Sequence, residues 1–323
     1  MASSHPLSAA ALFLLKGYVA VVTGGGTGIG LMFAQALAAN GAKVYITGRR
    51  ADVLETSARI HGSPERLGLD GGSIVPMVMD VTSKDSIRSA VAEITEKEGF
   101  VNILVNNAGV WAGRPAAKAQ DGPEAFSEAM LAESKEDNWQ KSFDVNVTSQ
   151  YFVTAAFLPL LAKASSGPTG KVGTVINNSS LGGFLRMTQN CQFSYNASKA
   201  AFTHLTRQMA YEFSHEKINV RVNGLALGYF PSEMTIGTSN DENQSAPSDG
   251  HFAKFMESLG AKMVKRMGTP QELASVGSPF PFVAVTGGSR LSYVVLMLVT
   301  NEYMWGTITI VDGGLALTVP GNM

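Results

Sequence analysis

A single cysteine, Cys191, occurs in 323 residues, so an internal disulfide framework is excluded. The five histidines never fall at the i, i+4 spacing of a helical metal site, and a metal-free intracellular protein is the expectation. Neither sign of charge dominates: 25 basic residues stand against 26 acidic ones, and no Lys/Arg-rich block occurs. Nothing in that balance recommends a nucleic acid or an anionic membrane as partner; a small neutral or weakly charged ligand fits better. Long apolar runs are also missing. The stretch "SAAALFLLKG" (8–17) is too short to span a bilayer, and no positively charged segment precedes it as a secretory signal requires. It is expected to pack against the body of a soluble, cytoplasmic protein.

The chain does hold enough apolar residues, 45%, to bury a substantial core, and its length suits one α/β domain spanning 1–323. Short β-branched runs recur at 18–24, 42–48, 73–80, 101–109, 171–180, 218–226 and 306–314, and helical patterns such as 28–39, 83–98, 133–164 and 195–215 separate most of them. That rhythm predicts βαβ units: a Rossmann-type doubly wound parallel sheet of about seven strands with helices on both faces. Ligands of such sheets bind beyond the carboxyl ends of the strands. Residues 112–135 lengthen one connection, and the polar, turn-rich 237–250 reads as a mobile surface loop or lid.

The first strand runs directly into "TGGGTGIG", where Gly24, Thr27, Gly28, Ile29 and Gly30 open a helix. Glycines let the backbone turn sharply and approach a pyrophosphate, whose charge the free N–H groups of a helix start stabilise. A purely structural turn is the alternative reading. The Gly-Lys-Ser/Thr of an ATP-type loop is absent. The second strand ends in "TGRR"; Arg49 and Arg50 can neutralise a ribose 2′-phosphate, which favours NADP(H) over NAD(H), unless they are helix-surface arginines. Asp80, followed by Val81, is placed to accept from an adenine amino group or to cap the next helix.

With "TGGGTGIG", "NNAG" (106–109) and "SYNASK" (194–199) in order along the chain, the sequence resembles the classical short-chain dehydrogenase/reductase family, nearest to fungal-type 3-oxoacyl-[acyl-carrier-protein] reductase-like members. The resemblance covers about 16–276 and resumes at 295–314. It implies a cofactor site that includes Asn106, Ala108, Gly109 and Phe230, and a catalytic group of Asn146, Ser180, Tyr195 and Lys199. In that family the tyrosine protonates a carbonyl oxygen, the lysine also holds the nicotinamide ribose, the serine orients substrate and the asparagine supports a proton relay. Ser179 is the alternative register for the serine. The residue chemistry agrees: a free tyrosine titrates at about 10, and an ammonium one helical turn away favours phenolate. The implied activity is NADPH-dependent carbonyl reduction, or the reverse alcohol oxidation, on a small to medium, apolar ketone or 3-oxoacyl substrate, by a homodimer or homotetramer.

Two departures stand out. The Pro-Gly usual after the sixth strand is Leu227-Gly228, which removes a φ restraint and restores an N–H. Residues 277–294, with two prolines and a Gly-Gly, read as an inserted loop of the kind a retained intron or splice variant adds; without them "ELASVVLMLVTNEY" is a continuous helix. Residues 229–267 are expected to form a substrate lid. Its Phe230, Met234, Phe252, Phe255 and Met256 either line an apolar pocket or are the packed face of lid helices. Cys191 is read as packed or pocket-lining. The rival to an oxidoreductase is a dinucleotide-binding scaffold or a cyclisation or epimerisation catalyst on the same fold.

Overall fold

Strand β1 (Val19–Thr23) is buried at every position, because helices cover both faces of the sheet it belongs to. The computed structural model describes residues 5–68, 71–246, 251–258, 266–273 and 294–318. Chain order runs β1, α1 (Gly28–Ala39), β2 (Lys43–Gly48), α2 (Ala51–His61), β3 (Ser73–Val78), α3 (Lys84–Lys97) and β4 (Ile103–Asn106). A continuous helical stretch α4 (Lys135–Ser166) follows, then β5 (Thr174–Asn178), α5 (Phe193–Phe213), β6 (Arg221–Leu227), α6 (Glu233–Ile236), α7 (His251–Ser258), α8 (Val294–Thr300) and β7 (Ile308–Val311). The strands form one sheet in the order β3-β2-β1-β4-β5-β6-β7, every pair parallel. The order reverses between β1 and β4, which opens a crevice at their carboxyl ends.

Alternation along each strand sorts the core into two layers. Ala20 and Val22 pack with Phe33 and Leu37 of α1 and with Val295 and Leu298 of α8. Val19 and Val21 face the other way, onto Ile87 and Ile94 of α3, Phe157 and Leu160 of α4, and Met209 of α5. Each of these side chains larger than alanine contributes roughly 1.5–3 kcal/mol by leaving water. By length and composition α4 is apolar enough to cross a membrane; here Val153, Phe157, Leu160 and Leu161 are buried in the second layer instead. Of residues 8–17, Leu15 is fully buried in the first layer while Leu12 and Leu14 are exposed.

Arg221, at the start of β6, is almost wholly buried. Its guanidinium donates to the carbonyls of Leu298 (2.8 Å), Val299 (2.6 Å), Asn301 (3.1 Å) and Met304 (3.3 Å). A cation at the end of α8 thus satisfies carbonyls that the helix leaves open.

Residues 237–246 differ from the mobile loop that their composition suggests. Asn243 donates to the Val53 carbonyl (3.0 Å) and the Ser57 hydroxyl (2.8 Å) of α2. His61 donates to the carbonyl of Glu242 (2.7 Å), whose carboxylate pairs with Arg66 (2.9 Å). Polarity here serves docking, and the segment is a strap over α2. Residues 247–250 and 259–265 of the lid, the Phe255 side chain, and 277–293 of the inserted stretch lie outside the described residues. Val294, assigned to the insertion from sequence, is instead the fully buried first residue of α8.

Candidate functional site

A cleft of about 1070 Å³ runs along the carboxyl ends of the strands. At its centre Gly24 (φ +62) and Gly28 (φ +51) take left-handed conformations, and a Cβ on Gly30 would lie 2.1 Å from the Gly24 carbonyl oxygen. The turn therefore needs glycine and leaves bare backbone facing the cleft. Thr23 ties it to β4: its hydroxyl accepts from the N–H groups of Asn107 (2.9 Å) and Ala108 (3.0 Å).

"NNAG" splits across the sheet. Asn106, expected among the cofactor contacts, lies beneath the cleft, donating to Thr154 (2.7 Å) and Asn177 (2.9 Å). Strand alternation is the reason: it shares the side of Leu104, toward α4. Asn107 is the residue on the cleft wall; it donates to the Thr23 carbonyl (2.9 Å) and accepts from Asn178 (2.9 Å). Ala108 and Gly109 line the cleft beside it, as do Thr27 and Ile29.

One end of the cleft is lined by Thr47, Arg49, Arg50, Asp80 and Val81. Burial pushes the Asp80 carboxyl up, but donation from the Thr82 N–H and hydroxyl, helped by Arg49, holds it below its ordinary value. Arg50, read from the sequence as a ligand for a 2′-phosphate, is paired with Glu233 in this structure. Its two terminal nitrogens bind both oxygens of Glu233 at 3.3 and 2.9 Å. That bond holds the Glu233 carboxyl below its ordinary value.

The other end gathers Asn146, Ser180, Tyr195 and Lys199. A π-helical turn, Asp144–Thr148, interrupts α4 and carries the fully buried Asn146. Asn146 holds both backbone groups of Val110 and donates to Ser198 at 3.0 Å. Ser180 hydrogen-bonds to Tyr195 and accepts from the Gly182 N–H at 3.1 Å. Ser179, the other register, is tied to the Lys199 carbonyl (3.0 Å) and Thr203 (2.7 Å).

Lys199 lies 5.8 Å from the Tyr195 ring centre and donates to the Asn178 carbonyl at 2.9 Å. The electrostatics differ from the simple expectation of a phenol acidified by an ammonium. Burial raises the Tyr195 phenol, and the neighbour that lowers it is Ser180. Burial also brings Lys199 down to about 8, since a desolvated ammonium is disfavoured.

The long connection between Ser180 and Tyr195 forms a polar wall. Gln189, Asn190 and Cys191 take φ of 52, 69 and 61°, a left-handed turn that costs L-residues about 1–2 kcal/mol each. Gln189 donates to the Tyr229 hydroxyl at 2.9 Å; burial pushes that phenol up to about 12 although Gln189 works against the rise. Gln189, Asn190 and Gln192 line the cleft, whereas half-buried Cys191 does not. Phe230, Met234, Phe252 and Met267 also line the cleft, and the Phe252 ring meets the ring of Tyr229 at 5.7 Å. Met256 is packed with Leu181 and Leu315 in a separate small core. Leu227-Gly228 keeps the turn after β6 closed, because the Gly228 N–H bonds the Val311 carbonyl at 2.9 Å.

A short chain dehydrogenase family profile matches residues 18–243. The chain belongs to the short-chain dehydrogenase/reductase family. This short-chain dehydrogenase/reductase is 36% identical over 326 residues to the short-chain dehydrogenase/reductase PhomF of Diaporthe leptostromiformis, covering 98% of this chain and 97% of that protein. It is 31% identical to a rhamnolipids biosynthesis 3-oxoacyl-[acyl-carrier-protein] reductase of Pseudomonas aeruginosa, covering 94% of this chain and 98% of the relative. Its backbone is similar to that of Pseudomonas aeruginosa RhlG in an NADP active-site complex, with a TM-score of 0.69, 28% identity and coverage of 96% and 99% of the two chains. The matched stretch 18–243 carries the glycine turn, Ser180, Tyr195 and Lys199, and it ends within the strap.

Proposed function

We propose that this short-chain dehydrogenase/reductase is an NADP(H)-dependent carbonyl reductase, or runs the reverse alcohol oxidation. The observation that carries the reading is the hydrogen-bonded pair of Ser180 and Tyr195, with buried Lys199 below it, at the end of a glycine-walled cleft. Two buried side-chain oxygens on the cleft wall, Thr47 Oγ1 and Asn178 Oδ1, have no hydrogen-bond partner among the described residues, which fits a polar ligand along the wall. The glycine turn fits a pyrophosphate, Arg49 and Arg50 a 2′-phosphate, and Lys199 the nicotinamide ribose. NADPH, when bound, supplies hydride to the carbonyl carbon.

The chain's own groups supply the rest. Tyr195 donates its phenolic proton to the carbonyl oxygen as negative charge develops there, while Ser180 hydrogen-bonds the same oxygen. Lys199, at about 8, exchanges protons near neutral pH and returns one to Tyr195. Asn146 keeps Val110 and Ser198 in place beside this group. A lining that combines Gln189, Asn190 and Gln192 with Phe252 and Met267 supports a ketone or 3-oxoacyl substrate with an apolar body and further oxygens. The homo-oligomer and the cytoplasmic location expected from sequence belong to the same proposal.

Loss of NADPH absorbance against a panel of ketones, diketones and 3-oxoacyl thioesters tests the reading. Turnover is expected in wild type and is expected to vanish in Tyr195→Phe while NADPH binding persists. Product formed without net NADPH consumption would select the epimerisation reading instead.

A further inference from the structure

We infer that Glu233 is a coenzyme-specificity residue: its carboxylate occupies the Arg50 fork that a 2′-phosphate needs, and binding of the phosphate releases it. The inference rests on the proposed NADP(H) reading of the cleft and adds a residue that reading does not contain. Arg50 is the N-cap of α2, and Glu233 opens α6 on the facing wall. They are 183 positions apart in sequence and meet through two N–H···O contacts, 3.3 and 2.9 Å long. Glu233 takes the Nη1/Nη2 edge of the guanidinium, and carboxylate and phosphate oxygens fit that edge in the same way. Both anions on one fork would place like charges in contact, so one displaces the other.

Glu233 reaches Arg50 because of how its helix begins. Ser232, the N-cap of α6, is packed on the glycine turn: a Cβ on Gly28 would lie 2.8 Å from the Ser232 Cβ. The next residue is thereby placed over the adenosine end of the cleft. The carboxylate also accepts from the Ser239 hydroxyl at 2.9 Å, which leads into the strap that Asn243 docks on α2. When a 2′-phosphate takes Arg50, this contact between the lid and α2 opens and the Asn243 contact is left to hold the strap. A coenzyme with a free 2′-hydroxyl does the reverse, because the hydroxyl can donate to Glu233 and leave the ion pair closed. Glu233 therefore narrows the preference for NADP(H) over NAD(H) that Arg49 and Arg50 create.

The ion pair is half-exposed and correspondingly weak, so displacement is easy and the effect on affinity is about two- to fivefold. Calorimetry on the full-length protein measures binding of adenosine 2′,5′-bisphosphate and 5′-AMP to wild type, Glu233→Gln and Arg50→Gln, with NADPH and NADH fluorescence as a second readout. Glu233→Gln is expected to bind the bisphosphate and NADPH about two- to fivefold more tightly, with 5′-AMP and NADH unchanged or weaker. Arg50→Gln is expected to weaken only the 2′-phosphorylated ligands. A wild type that prefers the bisphosphate through Arg50, with Glu233→Gln silent or tightening all ligands equally, overturns this inference alone. Equal binding of both nucleotides, unaffected by Arg50→Gln, overturns the NADP(H) reading and the inference together.

Discussion

Asn146 grips Val110 by both backbone groups, accepting from its N–H at 2.8 Å and donating to its carbonyl at 2.9 Å. One side chain thereby holds the segment after β4 against the π-helical turn of α4. Asn146→Ala leaves those groups without partners, at about 1–3 kcal/mol, and shifts the wall beside Lys199. The expected result is a lower melting temperature and a kcat reduced by about two orders of magnitude. Coenzyme affinity should change by much less, which steady-state kinetics and fluorescence titration would separate.

Ser180 is the neighbour that pulls the Tyr195 phenol down against burial. Alcohol oxidation needs Tyr195 as phenolate, so its rate rises with pH through that group's titration. Ser180→Ala should move the rise to higher pH and lower the plateau by about 10²–10³. A pH–rate profile in the oxidative direction checks the sign; an unmoved or lowered midpoint contradicts it.

Lys199 titrates at about 8 in the fold against 10.5 as a free group. Between these values the unfolded chain binds the extra proton. The burden of a buried ammonium is therefore full below about 8 and is relieved as pH rises toward 10.5. Lys199→Met should remove that upward slope and gain stability at neutral pH while losing turnover. Urea midpoints across pH for the two proteins measure it, with parallel curves as the contrary result.

The glycine turn offers a paired test. Gly30→Ala drives a Cβ to 2.1 Å from the Gly24 carbonyl oxygen, whereas Gly68 (φ +82) has nothing among the described residues within 4 Å of where its Cβ would be. Gly68→Ala should cost only the strain of a backbone (φ 82, ψ 175) that favours glycine, about 1–3 kcal/mol. Gly30→Ala should cost more than that and abolish dinucleotide binding, as thermal melts and NADPH titration would show.

The sheet was legible in the sequence because its strands are covered on both faces, leaving short apolar runs such as "YVAVVTG". Helix α2 was faint: its buried face is only Leu54, Ser57 and His61. Tyr195 and Lys199 could be placed together by helical spacing, but their protonation follows from desolvation, which only the packing around them decides. Asn107 could have been preferred to Asn106 by carrying the alternation from Leu104 one step further. Glu233 and the strap had no local signal, since contacts such as Asn243 to Val53 join residues 190 positions apart.

Arg221 decides where this chain can change length. Its fork clasps the end of α8 and the turn before β7 from inside the sheet, so the pairing of β7 with β6, Gly224 with Ile308 through Leu227 with Val311, is fastened downstream of Val294. The helix Pro270–Leu273 is seated separately, with Leu273 in the same core layer as Val295. A change in the length of chain that joins Leu273 to Val294 is therefore expected to leave β7 in register with β6.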